Sequence, residues 1–273
     1  MELTICSKPL FAKPTTDGLG KGSQKAIFRW MPVPQAISVP PERESLDYTL
    51  ARQSLAPAQL RRYLALYRNP ARQKELLHTR LLAKRLLYDY LHESAGMADI
   101  DEEEILLLQV EEGLRQGMPY LAPGPAWSHL NLSVSLAHGG GLLGAAVGEN
   151  CLVGIDVEQA RLRGKGFADL FLTTEEQQLM PLLFAGLAPD KCDSLMWSVK
   201  EAVGKALGTG FSRGFSSLRL QAATRTEEAG ASCWLELDQE LEIYAPGPYP
   251  RGMVYYDYDI EHSVCGVVCL LFS

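Results

Sequence analysis

The sequence lacks several short motifs that mark large enzyme classes. It has no His-Glu-x-x-His pair and no glycine-rich loop followed by Gly-Lys-Ser or Gly-Lys-Thr, which argues against zinc metalloproteases and P-loop nucleotidases. It also has no Cys-x-x-Cys pair, because its six cysteines are scattered along the chain. Scattered cysteines are typical of a reducing compartment, so we expect a cytoplasmic protein without a cysteine-based metal site.

An excess of basic residues and a long apolar run are also missing. The net charge is -7, which argues against nucleic acid as the main partner. The apolar segment 264–272 is interrupted by Gly266 and is too short to cross a membrane. The N-terminus has no cationic segment before an apolar core, so we expect no secretory signal. The 273 residues, 47% of them hydrophobic, suffice for a large core in one or two domains.

Residues 197–208 are predicted to form a helix. Alanine, valine, leucine and lysine dominate this stretch, and it ends at Gly208, which is typical of a helix C-terminus. Glu201 precedes Lys205 by one helical turn, so both side chains lie on one face. Taken alone, such a pair is most simply a solvent-exposed Glu–Lys pair. Trp197 is expected to be a packing anchor.

Residues 153–158 are predicted to form a strand with two acids on one face. Apolar and acidic residues alternate here, so Asp156 and Glu158 project to the same side. Neighbouring carboxylates repel each other, and a cation between them would remove that repulsion. Gly154 is expected to leave room for a ligand near the backbone. The alternative is an ordinary strand with one solvated face.

The two motifs together resemble a known family signature. The sequence GIDVE, a spacer of about forty residues and WSxKEAxxKA are similar to the pattern of the 4'-phosphopantetheinyl transferases of the Sfp type. The resemblance implies an α+β fold with two similar halves, each a sheet flanked by helices, and an active site between them. We place the halves at residues 1–150 and 151–273, with the boundary near 148–153, and we expect a monomer.

The resemblance also implies a reaction and roles for the motif residues. The phosphopantetheine arm of coenzyme A would pass to a serine of an apo acyl or peptidyl carrier protein, with release of 3',5'-ADP. The acids assigned to a metal ion are Asp156, Glu158 and Glu201, and hard oxygen ligands favour Mg²⁺ or Mn²⁺. Glu201 is also the expected base for the acceptor serine. Lys205 is expected to balance charge on the leaving phosphate, and Lys200 to support the site.

The first half contains a basic segment. Residues 61–90 hold eight lysines or arginines against two acids, which indicates either a solvated helix face or a phosphate-binding wall. Leucines at helical spacing follow Pro70 and predict a helix. Residues 79–84 are similar to the family's ARxLLR segment, and this resemblance implies coenzyme A contacts by Arg80, with Arg62 and Lys84 as further candidates. An acidic carrier protein would also suit such a patch.

Two further segments resemble the family but depart from it. Residues 130–135, LNLSVS, are similar to FNLSHS, and this implies a coenzyme A contact at Ser133; Val134 stands where the family has histidine. In residues 117–121, Met118 stands where the family has a phosphate-binding lysine. We expect the glycine-rich stretch 137–141 to be a long flexible loop. Its histidine, His138, is hypothesised to replace the missing imidazole, although a surface loop histidine is the simpler alternative.

A hairpin is expected from residues 142–147 to the strand at 153–158, a helix start at Thr173 or Thr174, and four strands after Gly210.

Two alternative functions remain open. The acids Asp156, Glu158 and Glu201 would also serve a metal-dependent phosphodiesterase. Met118 and Val134 suit a catalytically weak coenzyme A-binding or regulatory protein.

The histidine hypothesis leads to a testable prediction. If His138 supplies the imidazole that Val134 does not, His138→Ala should raise the KM for coenzyme A in a steady-state transfer assay. An unchanged KM would show that His138 has no part in coenzyme binding.

Overall fold

The computed structural model describes residues 25–32, 70–159, 161, 164, 166–184, 187–210, 214–215, 218–226, 230–237, 251–259 and 264–272. Arg62 lies outside the described residues. So do residues 57–69, where Pro57 suits the first turn of a further helix, and residues 33–41 of the proline-rich connector 32–41. Among the described residues, no helix combines the length and the apolar character needed to cross a membrane.

Helices and antiparallel strands make up an α+β fold. In chain order the elements are β1 (Lys25–Pro32), α1 (Pro70–Asp89), β2 (Leu107–Gln109), β3 (Pro119–Leu121), β4 (Leu132–Gly139), β5 (Leu142–Glu149), β6 (Leu152–Gln159), α2 (Thr174–Leu183), α3 (Pro189–Leu207), β7 (Leu218–Thr226), β8 (Gly230–Leu237), β9 (Arg251–Asp259) and β10 (Val264–Phe272). The described strands form a three-stranded sheet in the order β1-β5-β4, a five-stranded sheet in the order β6-β10-β9-β8-β7, and the small hairpin β2-β3. The α+β class and the four strands after Gly210 are confirmed. The similarity of two halves stays a prediction.

The expected hairpin of β5 and β6 is wrong, because these strands belong to different sheets. β5 pairs with β1 and β4, whereas β6 pairs with β10. The two sheets meet where β4 lies along β6, and side-chain hydroxyls bridge the strands there. Ser133 Oγ accepts from Val153 N at 3.1 Å and donates to the Cys151 carbonyl at 2.7 Å. Ser135 Oγ accepts from Ile155 N at 3.1 Å. The chain therefore changes sheets at residues 150–151; a domain boundary at 148–153 stays a prediction.

Helix α3 packs directly on the backbone of β6. The helix begins with Pro189 in its first turn and ends at Gly208, whose φ of 76° is left-handed and suits glycine. A Cβ atom on Gly154 would overlap the Ala202 carbonyl of α3. The expectation that Gly154 leaves room for a ligand is therefore wrong, because the helix backbone fills that space.

The cores lie on both sides of this contact. Buried residues of α3, including Leu195, Val199 and Val203, form one cluster with Leu218 and Leu271 of the five-stranded sheet. The leucine side of α1 packs against β4 and β5 in a second cluster. A third cluster, with Ile155 and Val157 on the other face of β6, joins the two sheets. Strand β6 is thus held on both faces, which fixes the direction of its acidic side chains.

The contact at Gly154 leads to a stability prediction. Gly154→Ala should lower the free energy of unfolding by about 1–3 kcal/mol or more, because the added methyl group must displace helix backbone. Urea unfolding followed by circular dichroism would measure the change.

A matched control is Gly164→Ala, since no atom lies within 4 Å of a Cβ built there and φ is not positive. This variant should stay within about 0.5 kcal/mol of the wild type. Equal stability of both variants would show that α3 does not rest on Gly154.

Candidate active site

An ion pair between β6 and α3 forms the centre of the site. Asp156 lies two residues after Gly154 and therefore shares the face of β6 that meets α3. Lys205 Nζ lies 2.7 Å from Asp156 Oδ1. The aspartate side chain is 7% exposed and the lysine side chain 28% exposed, so the pair is open to solvent from the lysine side. The structure thus brings together two residues that the sequence motifs singled out separately.

One oxygen of Asp156 has no partner among the described residues. Asp156 Oδ2 is buried and makes no hydrogen bond to any of them, although a buried carboxylate oxygen normally has one. Such an oxygen is an acceptor available to a cation or to a donor group of a ligand. Together with nearby carboxylates it is the kind of oxygen ligand that Mg²⁺ prefers, so the residues present fit a hard divalent cation in their chemistry.

Glu201 shares the electrostatic field of this pair. Burial raises the pKa of Glu201 from its ordinary value to about 7; the Lys205 ammonium opposes the rise, and the Asp156 and Glu158 carboxylates add to it. Glu201 and Glu158 are therefore close enough to interact with the ion pair. Among the described residues, no group of three acidic, histidine or cysteine side chains has the arrangement of a metal site. A metal ion shared by Asp156, Glu158 and Glu201 therefore stays a prediction.

His138 lies in strand β4 and not in a flexible loop. It pairs with Leu143 of β5, and the connection between these strands is only Gly140–Gly141, both with positive φ. Two glycines of this conformation make the tight turn favoured in hairpins. The predicted long loop is therefore wrong. The role of His138 in coenzyme binding stays a prediction.

The surroundings of His138 connect α1 with the site. Burial lowers the pKa of the His138 imidazole; Glu75 raises it, Arg72 lowers it, and the Lys205 and Asp156 charges act in opposite directions. Arg72 and Glu75 lie in the first turns of α1 and form a 3.4 Å ion pair. Sequence reasoning did not single out these two residues, although they lie within the basic segment 61–90.

The other predicted coenzyme contacts, Arg80, Lys84 and Ser133, are buried, partly buried or engaged in hydrogen bonds within the fold. Arg80 is 0% exposed, and its guanidinium donates to the Leu107 carbonyl at 3.1 Å, so it offers no open phosphate-binding surface in this structure. Lys84 is partly buried on α1, about 13 Å along the helix axis from Glu75. Ser133 uses its hydroxyl between β4 and β6. The assignment of these three residues to coenzyme A stays a prediction.

Lys200 is a structural residue within the helix motif. Its ammonium is completely buried and donates to Glu176 Oε2 at 2.9 Å and to the Phe171 and Leu218 carbonyls at 2.8 and 3.0 Å. Glu176 in turn closes the capping box at Thr173 and accepts from Leu220 N, which confirms the predicted helix start. Burial lowers the pKa of Lys200, and Glu176 opposes this. Lys200 thus ties α3 to α2 and to the start of β7.

Trp197 packs as predicted. Its ring centroid lies 5.3 Å from that of Phe171, 5.2 Å from that of Phe215 and 5.7 Å from that of Phe167. Aromatic rings at such separations contribute packing energy. The tryptophan therefore anchors the first half of α3.

Comparison with known proteins finds a family match in the segment that holds β6 and α3. Residues 152–245, roughly a third of the chain, match the family model of the 4'-phosphopantetheinyl transferase superfamily. This match includes β6 and α3, and hence Asp156, Glu201 and Lys205, but it does not distinguish the Sfp type from other types. A search of curated proteins found no match.

One solved structure that resembles the chain is the holo-[acyl-carrier-protein] synthase (AcpS) of Thermotoga maritima. The sequences are 20% identical, the alignment covers 45% of this chain and 64% of that chain, and the TM-score is 0.33. The chain therefore spans less than two thirds of that relative's length. At this TM-score, the likeness carries no argument about function.

The raised pKa of Glu201 leads to a prediction for the metal-free protein. The unfolded carboxyl group ionises at a lower pH than the folded one, so the folded state binds more protons between about pH 4.5 and pH 7. As the pH rises through this interval, the free energy of unfolding of the wild type should therefore fall relative to that of Glu201→Gln. Above about pH 7 the difference between the two proteins should be constant. Urea unfolding in the presence of a chelator, from about pH 5 to pH 8, would measure it.

Glu103→Gln is the control, because Glu103 is exposed and lies in the short helical turn Glu102–Glu104, outside β6 and α3. Its pH profile should run parallel to that of the wild type. Parallel profiles for wild type and Glu201→Gln would contradict the raised pKa of Glu201.

Proposed function

We propose that this protein transfers the 4'-phosphopantetheine arm of coenzyme A to a serine hydroxyl of an apo acyl or peptidyl carrier protein. The serine oxygen forms a bond to the phosphorus that carries the arm, the bond from that phosphorus to the bridging oxygen breaks, and 3',5'-ADP leaves. The serine proton passes to a base. This is a displacement at phosphorus that depends mainly on positioning and on charge stabilisation.

The proposal is supported chiefly by the contact of Lys205 with Asp156 beside Glu201. These residues lie in the segment that matches the superfamily model, and the Lys205–Asp156 distance of 2.7 Å joins strand and helix motifs that are far apart in the sequence. A buried carboxylate oxygen without a partner, next to an acid with a raised pKa, is typical of a reactive site rather than of a surface ion pair.

The roles of the residues follow from their chemistry. A carboxylate with a pKa near neutral pH can accept the serine proton, and Glu201 has this property in the structure. Lys205 is partly exposed, so its ammonium can balance charge on the departing phosphate. Asp156, Glu158 and Glu201 would hold Mg²⁺ or Mn²⁺, which would supply neutralising charge for the diphosphate.

A transfer assay tests this function. The protein would be mixed with coenzyme A, Mg²⁺ and a panel of apo carrier proteins, and mass spectrometry would show whether a carrier gains the phosphopantetheine arm. Glu201→Gln should reduce the rate by at least about 100-fold, because it removes the proposed proton acceptor and a metal ligand. A chelator should abolish transfer by the wild type.

The outcomes separate the candidate functions. Glu103→Gln, with the same chemical change at an exposed position, should retain wild-type activity. Retained full activity in Glu201→Gln would refute the assignment of Glu201. Breakdown of coenzyme A without any carrier protein would instead indicate a phosphodiesterase, and coenzyme binding without turnover would indicate a binding protein.

A further inference from the structure

A second cation lies at the C-terminal end of α3. Arg115 belongs to the turn between β2 and β3, and this turn rests against Gly208, the residue that ends α3. A Cβ atom built on Gly208 would lie 3.2 Å from Arg115 Cγ and 3.3 Å from Arg115 Cδ, and it would also overlap Met118 Sδ. The aliphatic part of Arg115 is therefore held between the hairpin and the helix end.

The guanidinium group of Arg115 has no counter-ion in the described part of the chain. Arg115 Nε is buried without a hydrogen-bond partner, and no hydrogen bond or ion pair joins Arg115 to a described residue. The terminal nitrogens of Arg115 are not among the buried unpartnered atoms, so they face solvent. The aliphatic part of the Arg115 side chain is therefore fixed, and its terminal nitrogens are available to bind an anion.

The position explains why a cation is stable there. The C-terminus of a helix carries a partial negative charge of about half a unit, which favours a guanidinium group without a carboxylate partner. Lys205 lies one turn before Gly208 on the same helix face. Lys205 is already paired with Asp156, so the Arg115 guanidinium is the cation at this end of α3 that no described carboxylate offsets. It is therefore available to attract an anion.

We propose that Arg115 binds a phosphate group of coenzyme A at the C-terminal end of α3. This inference rests on the proposed function, and it names a recognition residue outside the segment that matches the superfamily model. The terminal guanidinium nitrogens donate two parallel hydrogen bonds to phosphate oxygens, the geometry that arginine provides and lysine does not. Because the stem is already held, little conformational entropy is lost on binding.

Isothermal titration calorimetry with coenzyme A, in the presence of a chelator, tests the proposal without requiring transfer. Arg115→Gln keeps the packed Cγ and Cδ atoms and removes the charge. It should raise the Kd for coenzyme A by about 10-fold or more and make the affinity less dependent on salt. The melting temperature should be unchanged. Gln116→Ala, in the same turn and exposed, is the matched control and should bind like the wild type.

Dephospho-coenzyme A, which lacks the 3'-phosphate, identifies the phosphate group. If Arg115 contacts the 3'-phosphate, wild type and Arg115→Gln should bind this ligand equally; if Arg115 contacts the diphosphate, the variant should lose affinity for both ligands. Equal affinity of the two proteins for coenzyme A would overturn the proposal. Arg115-dependent binding of coenzyme A without transfer to any carrier would support this site and refute the proposed function, so the two can fail separately.

Discussion

The close packing of α3 on β6 is the constraint on which the rest of the site depends. Because residue 154 has no side chain, the helix backbone at Ala202 reaches the strand backbone directly. Lys205 of the same helix then reaches Asp156, two residues further along the strand. The third core cluster holds β6 from the opposite face, so neither partner of the Lys205–Asp156 pair can withdraw easily.

The charge balance of the cluster follows from this packing. Asp156, Glu158 and Glu201 would place three negative charges near one ammonium group, in a partly buried place where repulsion is strong. Burial raises the pKa of Glu201 most, and the Asp156 and Glu158 carboxylates add to the rise, so Glu201 holds its proton up to a higher pH and relieves that repulsion. Binding of a cation to these carboxylates would therefore be linked to release of the Glu201 proton, since either the cation or the proton offsets the same excess of negative charge.

The sequence predicted the elements of the site better than their neighbours. Period and end signals are local, so the strand with Asp156 and the helix with Lys205 could be predicted from their residues. The bridge from Ser133 and Ser135 to β6 could not, because it joins strands of different sheets. Three consecutive glycines suggested a loop after Ala137, although two suffice for a tight turn. The burial of Arg80 could not be predicted, because it shares a helix face with the buried residues Ala83 and Leu87, a placement that a charged residue rarely takes.

Lys200 and Glu201 show how one short motif serves two purposes. Adjacent residues of a helix point about 100° apart, so the lysine enters the core while the glutamate faces the ion pair. Loss of activity after replacement of Lys200 would therefore result from a disrupted fold. A mutagenesis study that measures only turnover would wrongly classify Lys200 as a catalytic residue. Conversely, other chains with a hydrophobic residue at this position and an intact acid beside it need not be inactive, provided that Glu176 has been replaced as well.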